Sequence, residues 1–152
     1  MGRRGQLTRP GAVLFACTLN SVRSPMAEAL MKHLLGTIIF VDSAGVESAE
    51  LDPFVLEVLS QVGYERKEHH AKRLDDLQDH AFDLIIALTP EAREKAEDVV
   101  RGEAVDVEYW PVEDPTLEGG SRARRLDAYR RLRDDLIVRI KDRFGSDVAE
   151  AS

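Results

Sequence analysis

The stretch that decides the fold is Val13-Leu14-Phe15-Ala16-Cys17-Thr18-Leu19-Asn20-Ser21-Val22-Arg23-Ser24-Pro25. A short apolar run, Ala12–Ala16, reads as a central parallel strand that ends at the cysteine. A polar turn follows. Ser24 then reads as a helix N-cap, and Pro25 takes the first helical position that proline favours. Strand, polar loop and helix N-terminus in that order form a cradle for an oxyanion, because backbone N–H groups and the helix end face the anion. The loop places a thiol on its floor and the planar fork of Arg23 over its top, a shape that suits a tetrahedral anion.

Working outward, strands and helices alternate along the chain. Helix Pro25–Leu35 stops at Gly36 and is followed by a strand at Ile38–Asp42. Asp52 and Pro53 cap and open a helix with Phe54, Val55, Val58, Leu59 and Val62 on its apolar face and Gly63 as its stop. Lys72–Asp79 reads as a short helical turn and Asp83–Leu88 as a third strand. Thr89 and Pro90 start a helix that ends near Gly102, and Val105–Trp110 is a fourth strand. Ser121–Phe144 is the longest helix, with Leu126, Tyr129, Leu132, Leu136, Ile137 and Ile140 on one side. This alternation predicts one α/β domain over 11–144, a four-stranded parallel sheet with helices on both faces. Residues 1–10 are expected as a disordered basic tail and 145–152 as a flexible C-terminus.

Ligands of such sheets bind beyond the carboxyl ends of the strands. Cys17 stands at that end of the first strand, and the loop holding Asp114 leaves the fourth strand at the same edge. A cysteine attacks phosphorus as its thiolate, and a helix N-terminus, backbone donors and a nearby cation all favour that form. Cys17 is therefore the candidate nucleophile, Arg23 the group that holds two non-bridging oxygens, and Asp114 the proton donor to the leaving group. Glu113 stands beside Asp114 as a rival. Asp52-Pro53 shows the plain alternative for an Asp-Pro pair, a helix start.

The same residues resemble the signature of the low-molecular-weight protein tyrosine phosphatases, whose superfamily includes thioredoxin-coupled arsenate reductases. The resemblance runs from Cys17 to Ala29 and continues at Asp42-Ser43-Ala44-Gly45, His69-His70-Ala71-Lys72, Asp83-Leu84-Ile85-Ile86 and Asp114-Pro115. It implies hydrolysis of phosphate monoesters through a phosphocysteine. It also implies an oxyanion held by Thr18, Leu19, Asn20, Ser21, Val22 and Arg23. Asn20, Ser24, Ser43 and His69 are implied as a supporting hydrogen-bond network, with His70 an alternative to His69.

Three departures bear on substrate. Leu19 stands where the family has glycine, so the backbone there keeps an ordinary dihedral or accepts strain. Val22 replaces a second cysteine. Thr116 and Leu117, with Glu47 and Ser48 opposite, stand where phosphotyrosine enzymes carry aromatic walls, leaving Tyr109 and Trp110 as substitutes unless they belong to the core.

Composition narrows the classes. The 152 residues are 43% hydrophobic and 32% charged, which suits one globular domain. A net charge of −7 argues against general nucleic-acid binding. The charge is uneven, with 12 basic and 22 acidic side chains up to residue 120 and 9 basic and 6 acidic after it. The late arginines read as a solvated face laced with Asp127, Asp134, Asp135 and Asp142, or as a docking surface. No apolar stretch is long enough to span a bilayer. The lone cysteine excludes an internal disulfide and a cysteine-rich zinc site, and points to a reducing, cytoplasmic setting. No cofactor or metal is expected. The same cysteine count leaves arsenate reduction only with an external small thiol, and a non-catalytic oxyanion- or phosphoprotein-binding module is the third alternative.

Overall fold

Strand β1 (Ala12–Cys17) is buried along nearly its whole length, and it pairs in parallel with β2 (Phe40–Gly45) on one side and β3 (Leu84–Ala87) on the other. Strand β4 (Asp106–Tyr109) pairs in parallel with β3, which gives the sheet order β2-β1-β3-β4. The structure, a computed structural model, describes residues 9–64, 69–77 and 82–151. Helices α1 (Arg23–Leu35), α2 (Pro53–Ser60), α3 (Pro90–Val99) and α4 (Arg122–Ala151) complete a single α/β unit.

Alternation along β1 divides the core between the two faces. Val13, Phe15 and Cys17 join residues of α1, α2 and α4, whereas Leu14 and Ala16 meet Ala92 and Ala96 of α3. The chain passes from β1 to β2 on one side of it, then crosses back over β1 to β3 on the other side. The crevice at the carboxyl ends of β1 and β3 is therefore a topological switch point.

Several boundaries differ from the sequence reading. Strand β2 runs 40–45 rather than 38–42, because Asp42 to Gly45 pair with Leu14 to Cys17 of β1. Helix α1 begins at Arg23, so Pro25 is its third residue, and Ser24 is not its N-cap. The apparent cap is unavailable because the Ser24 hydroxyl is engaged with Cys17 and Asn20. A short 3-10 turn covers Leu74–Asp76 of the turn read at Lys72–Asp79, whose last two residues lie outside those described.

Residues 145–151 are helical, beyond a break at Phe144 (φ −120°, ψ 25°). Residues 1–8 of the basic tail lie outside the described part. Arg9 bonds to Glu150 at 2.5 Å. The arginines of α4 are laced with carboxylates: Arg130 with Asp127, Arg133 with Asp134 at 2.9 Å, and Arg139 with Asp135 at 3.2 Å. Among the described residues no helix is long and apolar enough to cross a membrane.

Candidate active site

Six consecutive carbonyls of the β1–α1 loop are held, five from outside and the sixth by the first turn of α1. The Cys17, Thr18 and Leu19 oxygens accept from Val46 N (3.0 Å), Glu47 N (2.8 Å) and Ala49 N (3.0 Å). The Asn20 oxygen takes His69 Nε2 at 3.2 Å, which requires the proton on that nitrogen. The Ser21 and Val22 oxygens accept from Asp52 N and Met26 N, both at 3.1 Å. In a trans peptide the C=O and the following N–H point opposite ways. The N–H groups of residues 18 to 23 are therefore turned toward the inside of the loop. The segment 46–52 acts as a strap around it, and Ser21 Oγ adds a bond to Glu50 O at 2.7 Å.

The sulfur of Cys17 sits at the focus of this ring. Asn20 N and Ser24 N donate to it at 3.3 and 3.4 Å, and Ser24 Oγ lies 2.9 Å away. These donors converge on the atom that must carry negative charge to attack. Helix α1 has no side-chain cap, which leaves its first-turn N–H groups for the sulfur and an anion.

Asn20 makes the loop possible. It is the only described non-glycine residue with positive φ (55°), a conformation asparagine tolerates better than most residues. Its buried side chain is fully used. Nδ2 donates to Ser24 Oγ (2.9 Å) and Ser43 Oγ (3.0 Å), and Oδ1 accepts from Lys72 N (3.1 Å). Ser43 passes the network to buried Glu28 at 2.5 Å, and Glu28 pairs with Lys32 at 2.6 Å. Leu19 keeps an ordinary φ, so its side chain adds no backbone strain; it is 48% exposed at the rim.

Above the loop is an open cavity of about 420 Å³ lined by Cys17, Arg23, Asp114 and Thr116, with Asp52 and Glu91 among the remaining walls. An Arg23 Nη2 lies 3.7 Å from Asp114 Oδ2. Asp114 Oδ1 accepts from Thr116 N and Thr116 Oγ1 at 3.0 and 2.6 Å, which holds the other oxygen toward Arg23. Glu113 is exposed and does not line this cavity. His69 reaches the loop, whereas the exposed His70 carbonyl accepts from Lys72 Nζ.

Neither Tyr109 nor Trp110 supplies an aromatic wall. Trp110 packs edge-on against Phe15 in the core, and Tyr109 lies beneath Arg93. Three residues read from the sequence only as helix starts or not singled out also belong here. Asp52 caps α2 and lines the cavity. Thr89 and Glu91, at the start of α3, meet Thr18 Oγ1 at 3.2 and 3.5 Å. The usable signal was the position of Thr89-Pro90 directly after β3, once β3 is known to flank β1.

A model of the low molecular weight phosphotyrosine protein phosphatase family matches residues 12–144. An arsenate reductase of Shouchella clausii is 32% identical over 130 residues, 85% of this chain and 91% of that one. Among solved structures, the Erwinia amylovora tyrosine phosphatase amsI superposes with a TM-score of 0.76 at 20% identity, covering 93% of this chain and 95% of that one. That likeness is one of fold. A cysteine-to-serine mutant of the YwlE arginine phosphatase, phosphorylated on that active-site serine, gives a TM-score of 0.71 at 27% identity over 91% of this chain and 95% of that one. YwlE is also represented by a mutant from Bacillus subtilis.

Proposed function

The chain belongs to the low molecular weight phosphotyrosine protein phosphatase family, and from that premise we propose that it hydrolyses phosphate monoesters through a phosphocysteine. The observation that carries the reading is the placement of Cys17 Sγ, the inward N–H ring and the Arg23–Asp114 pair around one cavity. The ring and Arg23 hold the phosphoryl oxygens. Sγ attacks phosphorus, a P–S bond forms, and the bond opposite breaks, P–O in a monoester or P–N in a phosphorylated guanidinium. The leaving oxygen or nitrogen takes its proton from Asp114. Asp114, now a carboxylate, removes a proton from water, which attacks phosphorus and releases phosphate and the Cys17 thiolate. The lone cysteine is compatible with action in the cytoplasm.

The rim points to the kind of leaving group. The cavity walls include Asp52, Glu91 and Asp114, and among the described residues no aromatic side chain lines it. The Glu91 carboxylate at the rim repels an acidic peptide and attracts a cationic group, so a phosphorylated guanidinium suits this mouth better than a phosphotyrosine ring. YwlE, described as an arginine phosphatase, is a relative consistent with that choice.

A second reading is favoured by the names of the curated relatives, which include arsenate reductases. Arsenate would fit the same loop. Its reduction to arsenite takes two electrons from two thiols, and this chain contains one cysteine. The second thiol would have to come from a small molecule such as glutathione.

The deciding experiment is a steady-state assay of para-nitrophenyl phosphate, phosphoarginine and a phosphotyrosine peptide, beside arsenate with glutathione. The expected result is hydrolysis of the phosphate compounds, with phosphoarginine at least about tenfold above phosphotyrosine in kcat/KM, and no arsenite. Arsenite formation without hydrolysis would overturn the phosphatase reading.

Asp114→Asn should separate the acid from a structural aspartate. The loss is small on the nitrophenyl ester, whose leaving group departs unprotonated, and rises to about a thousandfold on an unactivated alkyl ester. A penalty independent of leaving group would assign Asp114 a structural role.

A further inference from the structure

Of the outside ties on the loop, the one at Ser21 leads furthest into the molecule. Its carbonyl accepts from the backbone N–H of Asp52, and both carboxylate oxygens of Asp52 are themselves engaged. Oδ1 accepts from Phe54 N at 2.9 Å, the ordinary N-cap bond of α2. Oδ2 accepts from the Tyr129 hydroxyl at 2.6 Å, across 77 residues of chain. Capping uses only one oxygen, so α2 does not require the second bond.

Tyr129 is built to keep that bond. It lies in the middle of α4, is 2% exposed, and its ring meets Phe54 edge-on at 5.1 Å between centroids. Burial first, then the hydrogen bond to Asp52 and that carboxylate's charge, push the phenol well above its ordinary range. It is a neutral donor at any pH used for assay.

We propose that Tyr129 is a positioning residue for the oxyanion site, acting through Asp52 on the end of the 46–52 strap and on the Ser21–Val22 peptide. The bond does two things. It anchors the residue whose N–H turns the Ser21 carbonyl outward and the Val22 N–H inward. It also draws the negative charge of Asp52 toward the protein and away from a cavity that must accept an anion. Both effects favour oxyanion binding more than the chemical step. The proposal rests on the loop binding phosphate, as in the function proposed above.

The test is Tyr129→Phe, which removes one oxygen and keeps the ring. Inorganic phosphate binding is measured by calorimetry, kcat and KM with para-nitrophenyl phosphate, and the melting temperature alongside. The expected result is a five- to tenfold rise in both the phosphate Kd and KM, with kcat changed less than about twofold. Asp52→Ser keeps a capping oxygen for α2 but is too short to meet Tyr129. In that background Tyr129→Phe should have no further effect on phosphate binding. An unchanged phosphate Kd with a lowered melting temperature would overturn the proposal, leaving Tyr129 a packing residue. Additive effects in the double variant would overturn it as well. Phosphate binding is read without turnover, so a wild-type chain that binds phosphate but cleaves no ester sinks the phosphatase reading and leaves this one standing. A wild-type chain that binds no phosphate overturns both.

Discussion

Cys17→Ser abolishes turnover, by at least about a thousandfold, while the chain still folds and binds phosphate. The substitution exchanges a sulfur for an oxygen that ionises far less readily and reaches less far. It leaves the cradle in place. The N–H groups of residues 18 to 23 are oriented by carbonyl bonds to the strap, His69 and Met26, none of which involves the thiol. Ser24 and Asn20 retain each other through the 2.9 Å bond between them. The measurement is para-nitrophenyl phosphate hydrolysis with phosphate calorimetry on the same sample. Residual activity above about a hundredth of wild type would show that another group attacks phosphorus. Loss of phosphate binding would show that the thiol, rather than the ring of donors, organises the loop.

Gly45→Ala is expected to lower kcat/KM about a hundredfold and to destabilise the fold by about 2–3 kcal/mol, near the upper range for overpacking a close-packed site. Gly45 ends β2 where strap and loop touch. A Cβ there would stand 2.2 Å from Glu47 O, 2.7 Å from Asn20 N and 2.8 Å from Leu19 C. All three are backbone atoms, so no rotamer change relieves the clash. The backbone φ of Gly45 is not in the left-handed region, and the requirement is for room. The strap would have to lift, loosening the bonds from Val46 and Glu47 to the loop carbonyls. Urea denaturation and steady-state kinetics check both parts. Gly119→Ala is the control, since a Cβ there meets nothing within 4 Å. Wild-type kinetics and stability for Gly45→Ala would mean that the strap has slack.

The strand and helix alternation was legible because apolar runs and capping residues act locally. Asp52-Pro53 and Thr89-Pro90 announce helix starts that the structure contains. Ile38 and Ile39 look more strand-like than Asp42-Ser43-Ala44-Gly45, yet the second strand runs Phe40–Gly45. Those four residues are in the sheet because β1 pairs with them, and because Asn20 and Glu28 satisfy buried Ser43. Ser24 carries two readings in the sequence, a helix cap before a proline and a member of the network around Cys17. Its distances to Cys17 and Asn20 select the second.

By itself the sequence determined what depends on neighbours along the chain: a thiol at a strand end, an arginine six residues on, and an aspartate just beyond the last strand. The tertiary structure decided what depends on the strand order β2-β1-β3-β4. That order sets α3 beside the loop and brings Glu91 to the rim, and it lays the 46–52 strap against the loop carbonyls. The packing of α4 against α2 then sets Tyr129 on Asp52. Such contacts are made by backbone groups, which every residue carries, or by side chains 77 positions apart. Neither leaves a mark in local propensity or periodicity, so they exist only once the sheet has closed and its helices have packed.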